Sequence, residues 1–260
     1  MSKKSKYWRD DLPIQGPIVK WEHLVSLNRI QGISNFRKFG LNEAVGTSYE
    51  TIGSYNAQYT LPTAAQTLDV VSGSTEDAAE GTGALTMRIE GLDANYAEIT
   101  EDVTLTGQTT ATTTQSFLRV NAAYILTAGS TGSNVGVITV DQTTSGTVVA
   151  VISATYGEAL QLIQTVPAGK YMILDHMTIG IDKGDRATVQ FRYKIFGGAW
   201  RSALVETLYQ NFASFSSSPG LTFPPKTDWE VRGIVRSGSG GVISSFVEGF
   251  LFDSGWYDDS

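Results

Sequence analysis

From about residue 41 onward, apolar residues recur at every second position, and a turn signal interrupts them every eight to twelve residues. In ALTMRIEG, Leu85, Met87 and Ile89 alternate with Thr86, Arg88 and Glu90. In TVQFRYKI, Val189, Phe191, Tyr193 and Ile195 alternate with Thr188, Gln190, Arg192 and Lys194. Successive side chains of a strand point to opposite faces, so each run predicts a strand with one buried face. The interruptions GLDAN (91–95), AGSTGSN (128–134), QTTSG (142–146), KGD (183–185) and the Gly-Gly turn of FGGAW supply residues that accept tight-turn dihedrals. No amphipathic stretch exceeds two helical turns. A chain patterned in this way is all-β, and the spacing is that of antiparallel β-sandwiches or barrels.

Two compositions divide the strands. The first part is rich in Thr and Ala, and residues 41–160 hold thirteen carboxylates against two cations, Arg88 and Arg119. The rest of the chain carries Trp200, Trp229 and most of the Phe, with nine basic against ten acidic residues from 161 to the end. This predicts two antiparallel β-sandwich domains, a Thr-rich acidic one over 41–157 and a jelly-roll-like one of about seven strands over 158–252. Residues 253–260 form a C-terminal tail. Within the second part, FASFSSSPGLTFPP reads as a long loop. Residues 1–40 show no sustained period. Pro13, Gly16 and Pro17 break their early part, and KWEHLVSLNRI (20–30) fits either one helical turn or an extended arm. An extended N-terminal arm over 1–40, ordered by contact with another chain, is the expectation.

Charge separates the arm from the body. The first forty residues hold eight basic residues, among them Lys3, Lys4, Lys6 and Arg9, against three acidic ones. A basic arm before an acidic body can dock on a complementary neighbour, or simply remain solvated. Nucleic acid is an unsuitable partner, because the body repels phosphate and the cations are dispersed. Only 17% of residues are charged, so a surface of Thr, Ser, Gly and Gln packs on neighbours with few charges to desolvate. The basic N-terminus lacks an apolar segment behind it and does not read as a signal peptide. No apolar run approaches the roughly 20 residues of a membrane span. A soluble protein made in the cytoplasm is the expectation.

The chain is poor in reactive groups. It has no Cys, which removes thiolate metal sites and iron–sulfur clusters. His23 and His176 lie in unrelated contexts, so neither a triad nor a His-rich metal site is assembled from them. Two acids stand among residues of core type: Glu101, on the side shared with Ile99 and Val103, and Glu248 in FVEGF. Each is a candidate raised-pKa acid, as a glycosidase needs, or a rim carboxylate paired with Arg. DKGD (182–185) and the C-terminal DDS offer oxygen ligands but not the count of a calcium loop. SGSGGV (237–242) joins strands and opens no helix, so it is no phosphate loop. No catalytic residue, metal site or cofactor is assigned. Tyr209, Phe212, Phe215 and Phe223, in or beside the long loop, are the candidate interaction residues, since loop aromatics stack on sugars or dock into a neighbouring subunit.

The stretch MRIEGLDANYAEITEDVTLTGQTTATTTQSFLRVN (87–121), followed by YILTAGSTGSNVGVITV, resembles a segment of virion structural proteins of marine and cyanobacterial tailed bacteriophages. The later run VPAGK, FRYKIFGGAWR, TLYQNFASF, FPPKTDWEVRG and FVEGFLF resembles the sandwich that accompanies it there. The resemblance covers roughly residues 40–252 and implies a place in the virion with no catalytic residues. The function expected is a non-enzymatic virion protein that decorates or cements the capsid. Its partners would be the major capsid protein or other virion proteins and itself, as a homotrimer. A glycan-binding host-recognition module of a tail or head fibre is the alternative.

Overall fold

The computed structural model describes residues 20–182, 186–209, 212–237 and 240–256. Almost all of them lie in antiparallel strands and the turns between them, as the alternation predicts. One short helix, α1 (Trp21–Ser26), precedes the strands. It is followed by β1 (Ile33–Val45), β2 (Glu50–Thr51), β3 (Leu68–Ser72), β4 (Ala84–Leu92), β5 (Glu98–Thr104), β6 (Ala111–Thr112), β7 (Arg119–Ala128) and β8 (Ile138–Gln142). The remainder are β9 (Val148–Ile152), β10 (Ile163–Thr165), β11 (Lys170–Ile181), β12 (Arg186–Lys194), β13 (Arg201–Tyr209), β14 (Phe212–Phe223), β15 (Asp228–Ser237) and β16 (Gly241–Asp253).

These strands surround two hydrophobic cores. The first core lies between the sheets β6-β3-β8-β9 and β5-β4-β7. Leu68, Val70, Met87, Ile89, Ile138, Val140 and Ile152 fill it, with Phe117 its one aromatic. The second lies between the sheets β1-β16-β11-β14 and β10-β15-β12-β13, the latter extended by β2 on β15. Pairing here is nested: β1 with β16, β2 and β10 with β15, β11 with β14, and β12 with β13. A hairpin wound on itself pairs its strands in this way, which makes the second body a jelly roll. Trp229, Phe191 and Phe223 form its centre, with the Trp229 and Phe191 rings stacked at 5.6 Å.

The sequence boundary near 157 does not divide the two bodies. β2 and β10 occupy one strand position in succession along β15, and they meet where Leu162 donates to Ile52 and Val231 donates to Leu162. Val45 and Ile52 belong to the jelly-roll core. The first sandwich, about residues 66–159, is therefore an insertion between two halves of one jelly-roll strand.

Residues 20–40 are likewise part of the jelly roll and not of an arm. β1 pairs with β16 from Ile33↔Phe252 to Asn42↔Ile243, and α1 packs its Trp21 ring 4.6 Å from that of Phe250. Backbone pairing supplies the order that local propensity lacks. The close approach is tight at Gly40, where a Cβ would fall 2.6 Å from the Ile52 carbonyl oxygen.

The stretch read as a long loop is β14, an edge strand paired with β11. The Ser-Ser-Ser-Pro run hides it in the sequence, yet an edge strand tolerates proline because one side of its backbone needs no ladder partner. Two inward assignments also shift. Register irregularities between β4 and β7 turn Ala84 inward and leave Leu85 half-buried. Ile195 is exposed because β12 ends at Lys194 and Ile195 opens the turn.

Candidate functional site

The seam between the bodies concentrates the buried polar chemistry. Lys38 shares the inward side of β1 with Phe36, Gly40 and Asn42, a position where a core residue is expected. Its ammonium nitrogen donates to the Asn121 carbonyl of the inserted sandwich and, at 3.0 Å, to the Ile163 carbonyl of the jelly roll. Burial pushes the Lys38 amine down to about 7, against the pull of the Glu158 and Glu90 carboxylates. A cleft of about 420 Å³ opens beside it, lined in part by Asn35, Arg37, Glu90, Tyr124 and Glu158. Tyr124 donates its hydroxyl to Glu90 at 2.7 Å within the cleft.

Arg119 makes the second tie. It leaves β7 of the inserted sandwich and reaches Asp228 of the jelly roll, at 3.0 Å through Nε and 3.4 Å through Nη2. Its remaining donors go to the carbonyls of Pro62 (2.6 Å) and Leu118 (2.9 Å), and the Thr165 hydroxyl donates to Asp228 at 2.6 Å. Both charges of this pair are buried. Removing Asp228 alone strands the Arg119 charge, whereas Asp228 also pairs with Lys194 at 3.2 Å.

The GLDANY turn makes the third. Asp93 accepts from the N–H groups of Asn95 and Ala97, which holds Tyr96 at φ +67. There the Tyr96 carbonyl accepts from Ala168 at 2.8 Å, and its ring packs edge-on to Phe196 at 5.6 Å. Lys226 lies against both rings. Hydrogen bonds, one buried ion pair and an aromatic contact thus clamp the insertion to its host.

The two candidate acids have structural partners. Glu101 accepts from the Thr114 N–H (2.7 Å) and hydroxyl (3.0 Å) and from the Gln115 N–H (2.8 Å). It pins the Thr-rich connection onto β5. Glu248 faces Arg37 across the β1–β16 ladder, with the ion pair at 3.4 Å. His176 sits beside Glu248 in register, its Nε2 3.5 Å from the Ser214 hydroxyl. His23 lies in α1. Among the described residues, no three or more His, Cys, Asp or Glu side chains gather as a metal site would need. Residues 183–185 of DKGD and the C-terminal DDS lie outside the described residues, as do Lys3, Lys4, Lys6 and Arg9.

The four candidate aromatics separate into two pairs. Phe223 is buried against Phe191 (5.8 Å) and Tyr193 (5.1 Å), and Phe215 is half-buried on the same core. Tyr209 and Phe212 are 65% and 62% exposed at adjoining ends of β13 and β14. Those strands are the outer edges of their sheets on one side of the jelly roll, and exposed Val205 and Leu221 extend the apolar character along them. Lys38, Arg119 and Tyr96 went unread as site residues in the sequence. The one available signal was that Arg119 is one of only two cations in the acidic stretch 41–160.

No protein-family model matches the chain, and neither does any curated protein. Solved structures similar to it include a structure of infectious bursal disease virus Gt strain, at 10% identity and TM-score 0.21. That match covers 86% of this chain and 73% of the other. A crystal structure of the infectious bursal disease virus VP2 subviral particle matches at 10% identity and TM-score 0.22, covering 88% and 74%. Likeness at this level defines neither a shared site nor a shared role.

Proposed function

We propose that this chain is a non-enzymatic structural protein of a bacteriophage virion, placed on the shell as a decorating or cementing subunit. The observation that carries the reading is the open side of the jelly roll. Two edge strands, β13 and β14, end there together with Val205, Tyr209, Phe212 and Leu221 exposed. A long apolar edge left in water invites pairing with another chain, and natural proteins cover such edges. The clamped insertion supports the same reading, since a rigid two-body unit suits a repeated place in a particle. So does the resemblance of both bodies' sequences to virion proteins of tailed phages. In this reading the homotrimer contact is built on Tyr209 and Phe212. Phe223 and Phe215 serve the core instead, and the basic residues at 3, 4, 6 and 9 are the candidate contacts for the major capsid protein.

Imaging of particles with and without the protein tests the placement. Density lost from the shell is the expected result. Loss from the tail or a head fibre would replace this reading with the glycan-binding one, and unchanged particles would refute both. A Tyr209→Ala/Phe212→Ala variant tests the contact. It should remain folded, with an unchanged circular-dichroism spectrum, because both side chains are largely exposed. Its trimer should dissociate in size-exclusion chromatography with light scattering, whereas a variant that stays trimeric removes these residues from the contact.

A further inference from the structure

The outer face of the β10-β15-β12-β13 sheet gathers four cations of an otherwise acidic protein. Arg192 and Lys194 of β12 and Arg232 and Arg236 of β15 all project from it. Two aromatic rings organise them: Trp200 lies under Arg192 at 4.1 Å, and Tyr49 under Arg232 at 4.3 Å and Arg236 at 5.8 Å. The carboxylates beneath are already committed. Asp228 pairs with Arg119 and Lys194, and Glu230 pairs with Arg192 and accepts from Gln58. Arg232 and Arg236 donate to the neutral Gln190 and Thr188, and neither makes an ion pair among the described residues. Crowding adds to this: burial and then the nearby Arg192 charge hold the Arg232 guanidinium below its ordinary pKa.

The complementary surface belongs to the same chain. Residues 66–159 hold eleven carboxylates and only Arg88 and Arg119 as cations. Both cations are spent, Arg88 on Asp102 and Arg119 on Asp228. Asp69 and Asp141 stand directly opposite each other on the outer face of β3 and β8, with neither in an ion pair among the described residues. Like charges at such a position repel. The Asp141 carboxyl is held above its ordinary value by burial and then by the Asp69 charge.

We propose that copies of this chain associate head to tail, the basic outer face of one jelly roll receiving the acidic inserted sandwich of the next. Two different patches meeting in this way form a heterologous contact, the kind that closes into a ring such as a trimer. The proposal deepens the structural reading above and rests on it only in requiring that copies meet.

Charge reversal on the full chain tests it, read by sedimentation velocity at low and high salt. The wild type should associate at low salt and weaken as salt rises. Arg236→Glu alone and Asp141→Lys alone should each weaken association about tenfold or more. An equimolar mixture of the two should recover the pairwise step, because the intact basic face of one variant then meets the intact acidic face of the other. If either reversal melts early, Arg236→Gln and Asp141→Asn should weaken association in the same direction by less. The proposal is overturned if the wild type is monomeric throughout, if the reversals associate like the wild type, or if mixing them recovers no pairwise association. Association that ignores these charges but is lost in Tyr209→Ala/Phe212→Ala would refute it and leave the edge contact standing. Retention on a heparin column without self-association would also refute it, and would show that the basic face serves an anionic polymer instead.

Discussion

The inserted sandwich and the jelly roll solve one problem with different materials. The jelly roll buries large rings, Trp229 on Phe191 with Phe223 beside them, and fastens the Trp229 N–H on the Met172 sulfur at 3.1 Å. The inserted sandwich fills its core with Leu, Val, Ile and Ala around Phe117 and holds its loops with carboxylates. Asp77 accepts from the Ser72 hydroxyl (2.6 Å) and from the N–H groups of Ala84, Val135 and Gly136 (2.8 to 2.9 Å). It gathers the segments around 74–83 and 129–137, just as Glu101 gathers the Thr-rich run. Aromatic packing is indifferent to pH and salt, whereas a carboxylate that organises N–H groups is not. The bodies should therefore fail under different conditions although one chain joins them.

Deleting the largest ring gives the biggest effect. Trp229→Ala should cost about 3–5 kcal/mol, as burial of a full aromatic implies, and calorimetry should show the jelly-roll transition moving down while that of the inserted sandwich lags. Equal shifts in both would mean that the two cores melt as one unit. Asp77→Ala should cost less, about 1–3 kcal/mol for stranding buried donors, and should act first on the inserted sandwich. Burial alone would raise the Asp77 carboxyl, but the Ser72 hydroxyl and the three N–H groups hold it below its ordinary value. A depressed folded-state pKa contributes stability above the unfolded value of about 3.9 that is lost as pH falls through the folded one. Acid titration of the wild type should thus melt the inserted sandwich before the jelly roll, and Asp77→Asn should flatten that difference.

A further effect, one that depends on pH, concerns the seam. Lys38 has a folded pKa of about 7, below the ordinary lysine value. Between about 7 and about 10 the unfolded chain holds a proton that the folded chain does not, so stability rises with pH across that window. Below about 7 the folded amine is protonated too, and the slope vanishes. Lys38→Met should remove the slope from melting temperatures measured between about pH 6.5 and 9.5, and a variant that keeps it would assign the slope to another group.

Sequence periodicity revealed the strands that are buried on one face and stop cleanly. β11, β12, β15 and β16 fall where KYMILDHMTIGI, TVQFRYKI, DWEVRGIVR and ISSFVEGFLF place them. It failed at two edge strands, β1 and β14, where the apolar alternation is broken. In β1, Phe39 points outward and Lys38 inward, so the hydrophobic signal is inverted where the inserted body covers it. In β14, Ser and Pro are acceptable because no further strand pairs beyond. The insertion itself left no local mark. β2 and β10 are two and three residues long, and what joins them is a shared partner strand, β15, far along the chain from β2. Glu101 was legible as an acid in a core position, but two of the donors it gathers, the N–H groups of Thr114 and Gln115, are backbone and carry no signature.

The nesting of one body inside the other has a consequence for the order in which the molecule assembles as it leaves the ribosome. Every strand of the inserted sandwich is available once residue 152 has emerged, so that body can fold early as a unit. β1, made long before it, pairs with β16, and the partner of Ile33 is Phe252. The first strand of the jelly roll therefore waits, with its edge open, until about two hundred further residues have been synthesised, from Val45 to Gly241 and beyond. Closing a loop of that length is slow, and the early-folded insertion shortens the disordered path the closing ends must span. Without it, the waiting β1 would be the segment most exposed to pairing with another nascent chain.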